Sequence, residues 1–274
     1  IAGLPDFTFE SMKLPFTTEE FREMLSDELK PADTMLINKY FLNHDNDNLL
    51  NLLQNKDAVI KVEGKLLREE ILDVVAKVRE DLPIGDKKIP PYFEEYIRKW
   101  LSYENPHEGG KLWEDMLTSL DMDYGIEVKN GLMADWFELN LNIGNVLAAI
   151  YARKYGLQIA KYIVGNNSVA KLIREHSNSR DFGISQELEY FDTLLRIAEE
   201  DDIYDREKKI DKFRWDWLEE NTVFDYFNIE YIFAYLCKLQ ILERWVSLNA
   251  EEGEKVFRKL INDLKDETKL PEGY

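Results

Sequence analysis

Two groups of residues in this chain have types and spacings that could do chemistry. The first is acidic. In "EEDDIYDREKKID", Asp201, Asp202 and Asp205 place three carboxylates at i, i+1 and i+4. Clustered carboxylates suit hard, oxygen-seeking Mg²⁺, so the spacing suggests a diphosphate held through metal ions. The second group is a polar doublet met three times. Asp45 and Asn48, Asn142 and Asn145, and Asp225 and Asn228 each stand three residues apart. An apolar residue follows each pair (Leu49, Val146, Ile229), and then a helical apolar pattern. An Asp or Asn there can cap a helix, and an Asn three residues on can reach back to the cap amide. The acidic group would serve catalysis; the doublets would hold backbone.

The acidic group gives the enzymatic alternative, an all-α isoprenoid diphosphate enzyme. Such an enzyme needs a second metal motif. "NDLKDETKL" supplies Asn262 and Asp263 but has Asp266 where Ser belongs and Leu270 where Glu belongs. A charge run in an acidic chain is more simply a solvated face. Histidine offers little. His44-Asp45 matches the dipeptide of metal phosphohydrolases, which need several further His, and only His107 and His176 remain. Glu104 and His107 have Glu-x-x-His spacing, but Pro106 favours a loop over the helix of a di-iron bundle. There is no glycine-lysine phosphate cradle and no Gly-x-Ser-x-Gly elbow. No catalytic, cofactor or metal residue is therefore assigned.

Lys and Arg number 35 against 54 Asp and Glu, a net charge of −19. That field repels phosphate backbones and anionic lipid, which argues against nucleic acid or a bare membrane surface as partner. Hydrophobic residues at 45% and charged residues at 32% are the balance of a soluble globular protein. No apolar run approaches the ~20 residues of a membrane-spanning helix. The opening "IAGLPDF" has no basic n-region or apolar h-region, which predicts no export signal, and no initiator Met, which predicts further residues upstream. The single Cys237 excludes an intrachain disulfide and a cysteine cage, and its apolar helical setting predicts a buried structural thiol.

The elements that must position these residues read as helices, with no convincing period-2 strand. Thr17 and Glu20 have capping-box spacing. "GKLLREEILDVVAKVRE" is apolar at helical intervals, and Pro90-Pro91 then breaks the chain. Three helical blocks follow from such breaks: residues 1–90, 91–183 and 184–274. The third contains the most aromatic helix, predicted from Phe224 to Trp245. Phe227, Tyr231, Tyr235, Leu239, Leu242 and Val246 form one stripe on it; Ile229, Phe233, Leu236 and Ile241 form another. A helix apolar on two sides belongs at the centre of a bundle. The charged tail from Glu251 to Tyr274 is expected to fray.

One doublet in each block implies a unit used three times, as duplication would leave it. The expected fold is all-α, with three pseudo-repeated helical bundles around a pseudo-threefold axis, each doublet opening its helix. Here the sequence resembles the C-type central-stalk subunits of the archaeal and bacterial A/V-type ATPases, known as d-type in eukaryotes. Those proteins have three helical repeats, each with an Asp-x-x-Asn-Leu type motif and often a basic residue two turns later. The match is at Asp45, Asn48 and Leu49 with Lys56, at Asn142, Asn145 and Val146 with Arg153, and at Asp225, Asn228 and Ile229. Two departures stand out: Asn142 replaces the acid, and Leu236 replaces the basic residue, with Lys238 two positions on. The opening "AGLPDF" brings the chain nearest to a bacterial family encoded within V-type ATPase gene clusters.

The resemblance implies a non-catalytic central-stalk subunit that links the rotor shaft to the membrane proteolipid ring. Its partners would be the other stalk proteins and that ring. It would be cytoplasmic, peripheral to the inner membrane, and in membrane contact only through partner proteins. The doublets would then be scaffold. Contact would fall on acidic and aromatic faces, with Trp100, Trp113, Trp136, Arg153 and Trp245 as candidates. A generic helical protein-binding module is the other non-enzymatic alternative.

Overall fold

The Thr17 N–H donates to Glu20 Oε2 at 2.7 Å and the Glu20 N–H to Thr17 Oγ1 at 3.1 Å, closing the box as helix α1 (Thr18–Glu28) begins. Comparable local chemistry starts several of the other helices. Pro31 heads α2 (Pro31–Tyr40), where an N–H would have no intrahelical partner. Glu70 accepts the Leu67 N–H at 2.8 Å ahead of α4 (Arg68–Arg79). Side-chain oxygens of Asn130, Asn167 and Asp202 accept the first free amides of α7 (Gly131–Lys154), α8 (Ser168–Glu175) and α10 (Ile203–Asn221). The remaining helices are α3 (Leu42–Gln54), α5 (Tyr92–Ser102), α6 (Lys111–Ile126), α9 (Phe191–Ala198) and α11 (Ile229–Ser247). The structure is a computed structural model that describes residues 3–61 and 63–248. Among these residues all regular elements are helical, and the fold is all-α. No helix among them is long and apolar enough to cross a membrane. The tail Glu251–Tyr274, with Asn262, Asp263, Asp266 and Leu270, lies outside the described residues.

The chain divides into two compact units. One is Leu29–Leu195; the other joins the residues up to Glu28 to those from Arg196 onward. These cuts differ from block ends at residues 90 and 183. Pro90-Pro91 does separate α4 from α5, yet the two helices pack on each other within one unit. Ile71 and Val74 of α4, Phe93 and Ile97 of α5, and Leu49 of α3 share one core. In it Trp100 and Trp113 stack obliquely, ring centres 4.9 Å apart, and the Trp113 indole N–H donates to the Pro106 carbonyl at 2.7 Å. An indole satisfied at its one polar atom can be fully enclosed.

In the other unit the N-terminal residues pack on the last helices. Phe7 stands edge-on to Trp215 and Tyr235, with ring centres 5.7 and 4.9 Å apart, and the Tyr235 hydroxyl donates to the Pro5 carbonyl at 2.9 Å. Both stripes of α11 contribute to its core through Tyr235, Leu239 and Leu242, and through Phe233, Leu236 and Ile241, with Cys237 buried among them. The helix begins later than its apolar pattern predicts. Asn228 caps it at Ile229, so Phe224, Tyr226 and Phe227 precede it in a loop, 88%, 63% and 77% exposed. Phe227 therefore leaves the buried stripe. Asp211 of α10 is 2% exposed and accepts from Arg214 and Arg244, each at 2.9 Å, and from the Trp245 indole at 3.0 Å. A buried carboxylate persists only with donors of this kind around it.

Candidate functional site

The first doublet lies inside α3, not at its start. Asn48 is fully buried, and its amide reads both backbone groups of one residue: Nδ2 donates to the Lys61 carbonyl at 2.9 Å, while Oδ1 accepts the Lys61 N–H at 2.6 Å. Asp45, one turn earlier and also 0% exposed, accepts the N–H groups of Lys65 and Leu66 at 2.8 and 2.9 Å through Oδ1. The pair ties the segment returning from α3 down to the start of α4. Gly64 lies against both side chains. A Cβ there would stand 2.6 Å from Asp45 Oδ1 and 2.8 Å from Asn48 Nδ2.

The second doublet does the same work inside α7. Asn145 Nδ2 donates to the Val164 carbonyl at 2.8 Å and its Oδ1 accepts the Val164 N–H at 2.9 Å. Asn142 Oδ1 accepts from Asn167 Nδ2 at 2.8 Å, and Asn167 is the residue that caps α8. Asn142 Nδ2 in turn donates to the Tyr190 hydroxyl at 3.3 Å. The change from Asp to Asn has a physical reason here. Asp45 meets two N–H donors, which suit a carboxylate; Asn142 meets one donor and one acceptor, which suit an amide. A glycine accompanies this strap as well. Gly165, at φ +74°, comes directly after Val164, and a Cβ there would meet Leu141 at 2.7 Å.

The third doublet differs. Asn228 caps α11, accepting the Tyr231 N–H at 3.1 Å, and donates to Asp225 Oδ1. Only this copy has the helix-opening role expected for all three. The basic position also diverges. The Arg153 guanidinium donates to the Ser177, Ser179 and Arg180 carbonyls and stacks 3.8 Å from the centre of the Phe182 ring. Its donors serve its own chain. Lys56 lies beyond the end of α3, and its carbonyl, with that of Ala58, is held by Arg68.

Beside the first doublet, Asn46 meets a different helix, α5. The Tyr92 hydroxyl reaches Asn46 Oδ1 at 2.8 Å and Asp121 Oδ1 at 3.1 Å, and both Asn46 and Asp121 are buried. Burial pushes the Asp121 carboxyl up to about 6, against the hydrogen bonds from Tyr92 and Asn46 that favour its charged form. Burial first, and Asp121 next, raise the Tyr92 phenol well above its ordinary range.

The acidic cluster does not converge. Asp202 caps α10, accepting the Tyr204 and Asp205 N–H groups at 2.8 and 3.1 Å, while Asp201 and Asp205 are exposed. Among the described residues no three His, Cys, Asp or Glu side chains come together as a metal site. His107 lies inside a 3-10 turn, Pro106–Glu108, and Glu104 just before it, as Pro106 predicts. The tryptophans need correcting as contact candidates. Trp100, Trp113 and Trp136 are 3%, 2% and 5% exposed, core residues consumed by packing. Trp245 is half-buried and bonded to Asp211. A run of exposed aromatics stands instead at Phe224, Tyr226 and Phe227. The "VFDYFN" stretch could have signalled them, because its Asp225 and Asn228 form a cap ahead of the helix.

No curated protein and no solved structure matches the chain. A family model described as "Protein of unknown function (DUF2764)" matches residues 1–268, and the chain belongs to that family.

Proposed function

We propose that the chain is a non-catalytic central-stalk subunit of a V-type ATPase. In this role it seats the rotor shaft on the membrane proteolipid ring, serving proton or sodium transport without chemistry of its own. It works in the cytoplasm, peripheral to the inner membrane through the complex, and is built from three pseudo-repeats around a pseudo-threefold axis. The observation that carries this reading is the equivalence of the first two doublets. Asn48 with Lys61, and Asn145 with Val164, make the same two-bond strap from the same place in a motif. Duplication accounts for that equivalence, and duplication underlies the resemblance to the C-type stalk proteins. All three doublets hydrogen-bond to their own chain, as in a spacer that transmits force. The second loop is held further by Ser119 on Gly165, Asp123 on Asn166, and Arg174 on the Ile163 and Gly165 carbonyls. The exposed Phe224, Tyr226 and Phe227 replace the tryptophans as the contact surface, since aromatic anchors dominate interfaces.

Affinity capture of a tagged full-length chain from its native host tests the role. Stalk and proteolipid proteins should be recovered in near-stoichiometric amounts. Their absence from a capture that retains other specific partners would instead indicate a helical binding module with a different target.

A further inference from the structure

A cavity of about 560 Å³ opens beside the first doublet, within Leu29–Leu195, among α2, α3, the segment before α4, the turn before α5, and α6. Its charge runs against that of the protein. In a chain of net charge −19, Lys39, Lys65, Lys87 and Lys88 line it against two acids, Asp45 and Asp86. Both acids are engaged by backbone: Asp45 by the amides of Lys65 and Leu66, Asp86 by the Lys88 N–H at 2.9 Å. Lys88 lies 3.3 Å from Glu70. None of the ion pairs among the described residues involves Lys39 or Lys87. Lys39 Nζ instead sits over the Tyr124 ring, 4.6 Å from its centre, a cation–π contact at the cavity wall.

Apart from Asn38, the rest of the lining is apolar: Leu42, Leu66, Ile89, Pro90 and the ring of Tyr124, with Met35 at 59% exposure. Methionine is a side chain that adapts to what it covers. The volume falls within the ~300–1,000 Å³ of small-molecule sites, which combine apolar walls with a few placed polar groups. A nucleic acid or an anionic bilayer would meet the repulsion of the whole acidic surface; a small ligand entering a local basic mouth meets mainly the lysines, at separations within the ~8–10 Å screening length.

We propose that this cavity binds a small amphipathic anion, a molecule with one carboxylate, phosphate or sulfonate on an apolar body. The anionic group meets Lys39 and Lys87, and the apolar body lies against Leu42, Leu66 and Ile89. The site is independent of the stalk role and would stand if that role failed.

The probe is anilinonaphthalene sulfonate, whose sulfonate sits on an apolar aromatic body, titrated by fluorescence into the full chain. The uncharged phenylnaphthylamine serves as comparison. Saturable one-to-one binding of the sulfonate is expected, with the neutral dye weaker by about tenfold or more. Lys39→Gln with Lys87→Gln should weaken the sulfonate by about tenfold or more, whereas Lys154→Gln with Lys171→Gln, equal in charge removed, should change it less than about twofold. Met35→Trp, made at an exposed position and therefore compatible with folding, should fill the mouth and abolish binding. Equal affinity for both dyes, equal loss in the two double variants, or undiminished binding to folded Met35→Trp would each overturn the proposal. A lack of saturable binding to the native chain would overturn it too.

Discussion

Asn48 and Asn145 make one and the same contact at distant points of the chain. Each presents a buried primary amide to the N–H and C=O of a single residue, Lys61 or Val164, with all four bonds between 2.6 and 2.9 Å. A primary amide carries a donor and an acceptor side by side, as a strand edge does, so it can pin an irregular segment that no strand accompanies. The neighbouring Asp45 and Asn142 then fix where the next helix begins. Each of these two doublets thus converts a helix face into the anchor for its own return loop.

Removing either amide should be costly. Asn48→Ala or Asn145→Ala deletes two bonds and leaves the part-buried N–H and C=O of Lys61 or Val164 facing an apolar methyl, which should lower the unfolding free energy by about 2 kcal/mol or more. Asn228→Ala removes a helix cap and should lower it by about 1 kcal/mol. Urea titration of the three variants should give this order. Equal losses would mean that the two straps contribute no more than a cap.

Gly64→Ala tests the same strap from the opposite side. Its Cβ would collide with Asp45 and Asn48 at 2.6 and 2.8 Å, so a loss of about 2 kcal/mol or more is expected. Gly144, exposed within α7 and with open space around it, is the matched control. Gly144→Ala should stabilise by up to about 1 kcal/mol, through helix propensity alone. Thermal unfolding that moves both variants in one direction would contradict this packing.

Much of this was legible in the sequence. The Thr17–Glu20 box is local chemistry, and α11 advertises its burial with two apolar stripes. The doublets are legible as unusual because polar residues abut apolar runs. Their role is not, because Lys61 and Val164 reach them by loop closure, which leaves no periodic signal. Burial of Trp100 and Trp113 depends on their meeting across α5 and α6 and on the Pro106 carbonyl, so residue type alone favoured a contact role. Asp211 reads as one more charge on a solvated helix until Arg244, Arg214 and Trp245 fold around it. The packing of Phe7 on Tyr235 joins the two ends of the described chain and has no short-range sign at all.

Asp121 should make the stability of the protein depend on pH. Its folded carboxyl titrates near 6, above the ordinary carboxylate value, so between about pH 4 and 6 the native state holds a proton that the unfolded state releases. Its contribution is fully present below about pH 4, is lost as pH rises toward 6, and is flat above. Asp121→Asn keeps an acceptor for Tyr92 and removes the titration. The variant should gain on the wild type by an amount on the order of 2 kcal/mol between pH 4 and pH 7. Denaturant titrations at the two pH values check this; a difference independent of pH would refute it.

The acidic run should behave as a helix start. Asp202→Ala should lower stability by about 1 kcal/mol, and exposed Asp201→Ala should leave it within about 0.5 kcal/mol. Calorimetry with Mg²⁺ and inorganic diphosphate should show no micromolar binding. Binding that Asp201→Ala abolishes would restore the diphosphate chemistry.

The stalk role is tested most directly by mixing the purified full chain with purified V-type stalk proteins and proteolipid ring and weighing the assemblies by native mass spectrometry. One copy of the chain is expected in each stalk–ring complex, and loss of that copy, with unchanged melting temperature, in the Phe224→Ser/Phe227→Ser double variant. A native chain that stays apart from both stalk and ring at micromolar concentrations would contradict the role.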